Sequence, residues 1–114
     1  MKYKWNIFQA DLNPALGSEQ KGKRPVIVIS DEDFNELMPV LTILPITSLK
    51  EGRKVYPNEV LLSRGSGNLI RDSLVLAHQI RTIAKQRLKE RIGYINNHEN
   101  QEMINEAIRV HLNL

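Results

Sequence analysis

The chain has 114 residues, with 16 Lys and Arg against 13 Asp and Glu for a formal charge of +3. That length holds one domain, expected over residues 1–114, and a hydrophobic content of 41% excludes a disordered chain. There is no cysteine, which excludes a disulfide scaffold, a thiol nucleophile and any Cys-ligated zinc or iron–sulfur site.

Ile7 to Leu12 reads as a first strand, and Pro14 and Gly17 open a polar loop that runs to Arg24. Pro25 to Ser30 is a continuous run rich in β-branched residues, the pattern of a strand buried on both faces. Its proline stands at the first position, where a missing N–H does little harm. Ser30-Asp31-Glu32-Asp33 supplies an N-cap and an acidic first turn for a short helical turn at most. Val40 to Ile46 is the next strand, followed by a charged loop over residues 50–54. Glu59 to Leu62 and Ser73 to Ile83 are further strands, separated by the flexible Arg64-Gly65-Ser66-Gly67-Asn68, and Arg87 to Ile95 is a last, more polar one. From Asn97 the period changes. Met103, Ile104, Ala107, Ile108, His111 and Leu112 fall at helical spacing, with Asn97 as N-cap.

Short strands followed by one amphipathic helix predict a mainly β fold, a small barrel with the helix packed on it. The longest aliphatic runs, at residues 26–29 and 74–77, fall far short of a membrane span, and no signal-peptide core follows the basic start. A soluble, cytoplasmic protein is expected. Residues 31–36 are acidic, whereas residues 81–91 carry Arg81, Lys85, Arg87, Lys89 and Arg91 against Glu90 alone. That basic stretch fits either a solvated edge strand or a phosphate-binding surface.

Three segments could carry chemistry. In Gly17-Ser18-Glu19-Gln20-Lys21-Gly22-Lys23-Arg24-Pro25, a polar loop ends at the mouth of the buried strand, and the following proline holds Arg24 extended. A guanidinium placed there could grip a phosphate with two parallel hydrogen bonds, or could serve structure by pairing with Glu19 or a carbonyl. In Leu44-Pro45-Ile46-Thr47-Ser48, a strand ends in two hydroxyls able to donate to a phosphate oxygen, although such pairs also form turns. In the third segment, Asp72 to Thr82, strand alternation puts His78, Ile80 and Thr82 on one face and Gln79 and Arg81 on the other. His98 and His111 fall on the helix as structural or exposed residues. No HExxH spacing or carboxylate cluster suggests a metal, and there is no Walker A, GxGxxG or GxSxG motif.

Together these segments resemble the MazF/PemK/Kid family of toxin endoribonucleases. The resemblance rests on Asp11-Leu12-Asn13-Pro14 running into Gly17-Ser18-Glu19-Gln20 and Arg24-Pro25, and on Ile46-Thr47 after a strand. Asp72-Ser73 then leads into Gln79-Ile80-Arg81-Thr82-Ile83 and Lys85-Gln86-Arg87-Leu88, and the Glu106-Ala107-Ile108 helix also fits. It implies an SH3-like small barrel of the PemK/CcdB type with a C-terminal α-helix, forming a homodimer. It also implies the toxin of a type II toxin–antitoxin system, which cuts single-stranded RNA, chiefly mRNA, at short sequences without metal or other cofactor. The RNA's 2′-hydroxyl attacks the adjacent phosphorus, leaving 2′,3′-cyclic phosphate and 5′-hydroxyl ends and halting growth. The implied partner is a cognate antitoxin whose acidic, disordered tail folds along the RNA groove and with which such toxins bind DNA.

Carried across by motif, Arg24 and Thr47 are the catalytic pair, while Ser18, Glu19, Gln20, Ser48, His78 and Gln79 line the RNA groove. Three positions depart from the pattern. Trp5-Asn6 stands where many members have Gly-Asp, and Ala84 replaces an Asp that would cap a short helix. His78 stands where several relatives carry a carboxylate, as a proton acceptor or a determinant of base preference. Two other readings remain: a gyrase poison of the CcdB type, whose Trp-Gly-Ile ending this chain lacks, and a non-catalytic RNA- or protein-binding barrel.

Overall fold

The computed structural model describes residues 2–114. Seven strands run in chain order as β1 Asn6–Asp11, β2 Lys23–Val28, β3 Val40–Ser48, β4 Glu59–Leu62, β5 Ser73–Leu76, β6 Arg81–Ala84 and β7 Leu88–Tyr94. A short helix, α1 Glu32–Leu37, precedes β3, and α2 His98–Leu112 closes the chain. All pairings are antiparallel, in the order β4-β5-β3-β2-β1-β7, with β6 on β3. This is the mainly β barrel with a C-terminal helix that the pattern of elements predicts.

Two apolar clusters hold it. Ile7, Ile27, Leu44 and Ile46 point to one side and meet Val60, Leu62 and Val75, with Ile104 and Ala107 of α2 packed on them. Phe8, Val26, Val28 and Ile43 point to the other and meet Leu41 and Ile83. Val26, Ile27 and Val28 are all fully buried, as their continuous β-branched pattern requires. Each such side chain contributes roughly 1.5–3 kcal/mol on burial, so a one-residue slip, which would exchange the two faces, is strongly opposed.

The acidic turn does more than stay solvated. Asp31 caps α1 by accepting from the Asp33 amide at 3.1 Å. Glu32 receives the backbone amides of Lys2, Tyr3 and Lys4, tying the N-terminal segment to the helix. Burial raises the Glu32 carboxyl, but these amides and Asn35 outweigh it and leave the group below its ordinary range. At the other end, Asn97 caps α2 through the Asn100 amide, as expected. Among the described residues no helix is long and apolar enough to cross a membrane.

One expected element is not continuous. Ser73 to Ile83 divides into β5 and β6, with a single 3₁₀ turn at Ala77–Gln79 between them. Both strands pair with β3, β5 with its C-terminal end and β6 with its N-terminal end. An uninterrupted register from Ile46↔Val75 would set Ile43 opposite His78, yet Ile43 lies opposite Arg81. Three residues are therefore turned out of the ladder. The expected alternation of His78 with Ile80 and Thr82 on one strand face does not hold, because His78 sits in that turn.

Candidate active site

Strand register brings Arg24 and Thr47 together. β2 and β3 pair as Val26↔Pro45, and continuing that pairing two places sets Arg24 opposite Thr47. Arg24 Nη1 donates to Thr47 Oγ1 across 3.5 Å, and Arg24 Nε donates to the Lys21 carbonyl at 2.8 Å. Of the two structural partners expected for Arg24, the carbonyl is present. Glu19 instead accepts from the Leu16 amide at 2.8 Å, within the loop. Among the described residues no carboxylate forms an ion pair with Arg24. Its charge is thus oriented by a neutral group and uncompensated, an arrangement suited to an anion.

Thr47 opens onto a cleft of about 480 Å³ that it shares with Ser18, Gln20, Ser48, His78 and Gln79. Lys50 and Arg53, which sequence reasoning left out of the site, add two cations to the same cleft. Glu19 borders an adjoining pocket of about 230 Å³ with Gln20, His78 and Gln79. All eight expected residues therefore gather in one region. Gln79 organises part of it, since its side-chain oxygen accepts from the Gln20 amide at 3.3 Å and its nitrogen donates to the Ser18 carbonyl at 3.2 Å. The Gln20 side-chain oxygen is buried there without a hydrogen-bond partner among the described residues.

Much of the basic stretch is engaged within the fold. Arg81 donates to the Leu12 carbonyl at 2.9 Å, and Arg87 to those of Asp11 and Asn13, so these guanidiniums fasten the base of the 12–22 loop. Arg91 donates to the Asn6 side chain at 2.6 Å, and Lys85 lies over the Tyr3 ring.

A buried carboxylate behind the cleft escaped sequence reasoning. The Glu59 side chain, 1% exposed, receives Arg53 through two nitrogens at 3.1 and 2.7 Å. It also accepts from the Tyr56 amide at 3.0 Å and lies 2.8 Å from His78 Nε2. Burial pushes this carboxyl up, but Arg53, the Tyr56 amide and His78 together overcome it and hold it at about 2. The available signal was a lone acid opening the apolar run Val60-Leu61-Leu62, which demands buried partners. Among the described residues no three His, Asp or Glu side chains gather as metal ligands do.

The profile of a family described as PemK-like, MazF-like toxin of type II toxin-antitoxin system matches residues 3–112. The chain belongs to this family. It is 36% identical to the endoribonuclease MazF of Staphylococcus saprophyticus over 114 residues, all of this chain and 93% of that one. Among solved structures it is similar to MazF of Deinococcus radiodurans, with a TM-score of 0.81 and 24% identity over 98% of this chain and 96% of that one. Mycobacterium tuberculosis toxin MazF-mt6 superposes with a TM-score of 0.78 and 25% identity, covering 96% and 97% of the two chains. An endoribonuclease from a mycobacterial species, solved with its cognate antitoxin, gives a TM-score of 0.80 at 20% identity over 98% and 95%.

Within the PemK/MazF family the departures acquire structural settings. Trp5 has φ of +65°, a conformation that glycine adopts freely and other residues rarely do. Here it is imposed by 94% burial of the residue, by its amide on the Val28 carbonyl and by its carbonyl on the Ile95 amide. Ala84 does occupy the cap position of a 3₁₀ turn at Lys85–Arg87, and no side chain caps that turn.

Proposed function

We propose that this protein is a toxin endoribonuclease that cuts single-stranded RNA at short sequences in the bacterial cytoplasm, with mRNA as its target. The observation that carries this reading is the Arg24 guanidinium beside the Thr47 hydroxyl that lines the cleft, with no carboxylate among the described residues paired to it.

In the proposed reaction the RNA's 2′-oxygen bonds to phosphorus and gives up its proton as the P–O5′ bond breaks and O5′ takes one. The products are a 2′,3′-cyclic phosphate and a 5′-hydroxyl. Negative charge grows on the non-bridging oxygens, where the two-pronged Arg24 group can stabilise it and Thr47 can donate a hydrogen bond. Their contact of 3.5 Å is long, as such contacts often are before substrate draws the groups together. Ser18, Glu19, Gln20, Ser48, His78 and Gln79 would hold unpaired bases beside that phosphate. By likeness to the family, the protein acts as a homodimer, and a cognate antitoxin with an acidic, disordered tail competes for the cleft.

Cleavage of a mixed single-stranded RNA pool in EDTA tests this, with wild type compared against Arg24→Ala and product ends mapped. Cuts at a short motif with cyclic phosphate ends, lost in the variant, are expected. A folded, antitoxin-free wild type that cuts nothing would overturn the reading and direct attention to gyrase supercoiling.

A further inference from the structure

We infer that Glu59 is a positioning residue that fixes His78 as a hydrogen-bond acceptor for the exocyclic amino group of one RNA base. This inference rests on the RNA-cleaving reading and adds to it the chemical class of base that the cleft selects.

The argument begins with the tautomer. Glu59 is clamped by Arg53 and the Tyr56 amide and is ionised throughout the working range, so toward His78 it can only accept. The proton of the imidazole must then lie on Nε2, 2.8 Å from the carboxylate. In the neutral ring the lone pair is therefore on Nδ1. No hydrogen bond within the described residues reaches that nitrogen.

The surroundings leave the ring usable. The His78 side chain is 29% exposed and borders both the 480 Å³ cleft that contains Thr47 and the adjoining 230 Å³ pocket. The charged and titratable groups around it come from several elements. They are Glu59 of β4, Arg53 and Lys50 of the β3–β4 loop, and Glu19 of the 12–22 loop with Arg81 of β6 across the smaller pocket. His111 of α2 stands edge-on at 6.4 Å, engaged with Asn58. Among the described residues only Glu59 hydrogen-bonds the ring.

Gln20 lines the same pocket, and its side-chain oxygen is buried without a hydrogen-bond partner among the described residues, so turning that side chain outward would present a second acceptor there. Two acceptors at one pocket match a group with two N–H bonds. The exocyclic amines of adenine, cytosine and guanine have two, whereas uracil offers a single imino N–H.

The test uses the mapped cleavage motif. Each base in turn is replaced by its counterpart lacking the exocyclic amine: purine riboside for adenosine, inosine for guanosine, 2-pyrimidinone riboside for cytidine. At one position, removing the amine should lower wild-type kcat/KM about 10–100-fold at pH 7.5. That ratio should fall to within about threefold of unity in Glu59→Gln and in His78→Ala. His78→Ala alters a partly exposed turn and keeps the test available if Glu59→Gln does not fold. A wild type that cuts RNA without regard to any amine, or variants that keep the ratio, would overturn this inference alone. A wild type that cuts no RNA would bring down the cleavage reading, and this inference with it.

Discussion

The side chain of Gln79 bridges Ser18 and Gln20, donating to the carbonyl of the first and accepting from the amide of the second. Residues 18 and 20 belong to a long loop, and Gln79 to a turn that leaves the sheet, so two segments outside the ladder are held together by one amide. Gln79→Ala should release the loop while the barrel stays intact. Expected is a rise in KM of about tenfold with kcat within about threefold, accompanied by faster amide exchange at Gln20. A fall in kcat at unchanged KM would show that Gln79 acts on the chemistry instead.

Thr47 should matter through its hydroxyl. Thr47→Ala is expected to slow single-turnover cleavage about 10–100-fold, and Thr47→Ser to recover most of the rate. Arg24→Lys should not recover activity, because one ammonium cannot hold the Lys21 carbonyl and still offer two parallel donors to a phosphate. Equal rates for Thr47→Ser and Thr47→Ala would remove the hydroxyl from the mechanism.

Glu59 links stability to pH. Its carboxyl lies at about 2 in the folded protein against 4.5 ordinarily. Folding therefore draws a contribution from it that is complete above about pH 4.5 and is lost as pH falls through about 2, worth roughly 3–4 kcal/mol. Glu59→Gln should be less stable than wild type by about that amount at pH 7, and the gap should close on acidification. Urea unfolding at pH 7, 4 and 2.5 measures it; a gap independent of pH would mean that the lost contribution is packing.

Trp5→Gly opposes two effects. Glycine relieves the cost of positive φ, roughly 1–2 kcal/mol, but deletes a buried indole whose loss costs roughly 3–5 kcal/mol. A net destabilisation of about 2–3 kcal/mol is expected in denaturant melts. A variant as stable as wild type would show that the indole contributes little to the core.

Local patterns were legible wherever local forces decide. The run from Val26 to Val28 is buried as read, whereas of the helical face Ile104 and Ala107 are buried and Met103, His111 and Leu112 are exposed. The Arg24 and Thr47 segments were legible as motifs, and strand register explains why they meet. Ser73 to Ile83 was not, because the slip between β5 and β6 is set by what each pairs with on β3, about 25–45 residues away. The pairing of Glu59 with His78 escaped for the same reason: they are 19 positions apart and meet only because the chain turns out between those strands. The arginines at 81 and 87 look like a surface charge in sequence, and only the folded loop supplies the carbonyls that occupy them.

The turn at Ala77–Gln79 also bears on how such a protein can change its target. These three residues are surplus to the β3 ladder; without them β5 and β6 would run on as one strand in unbroken register. Ala77 is buried, but His78 and Gln79 are only partly so and fill no core position. Positions 78 and 79 can therefore be exchanged with little consequence for the barrel that aligns Arg24 with Thr47. In this architecture the parts that would choose a cleavage sequence can diverge rapidly while the parts that would break the bond stay still.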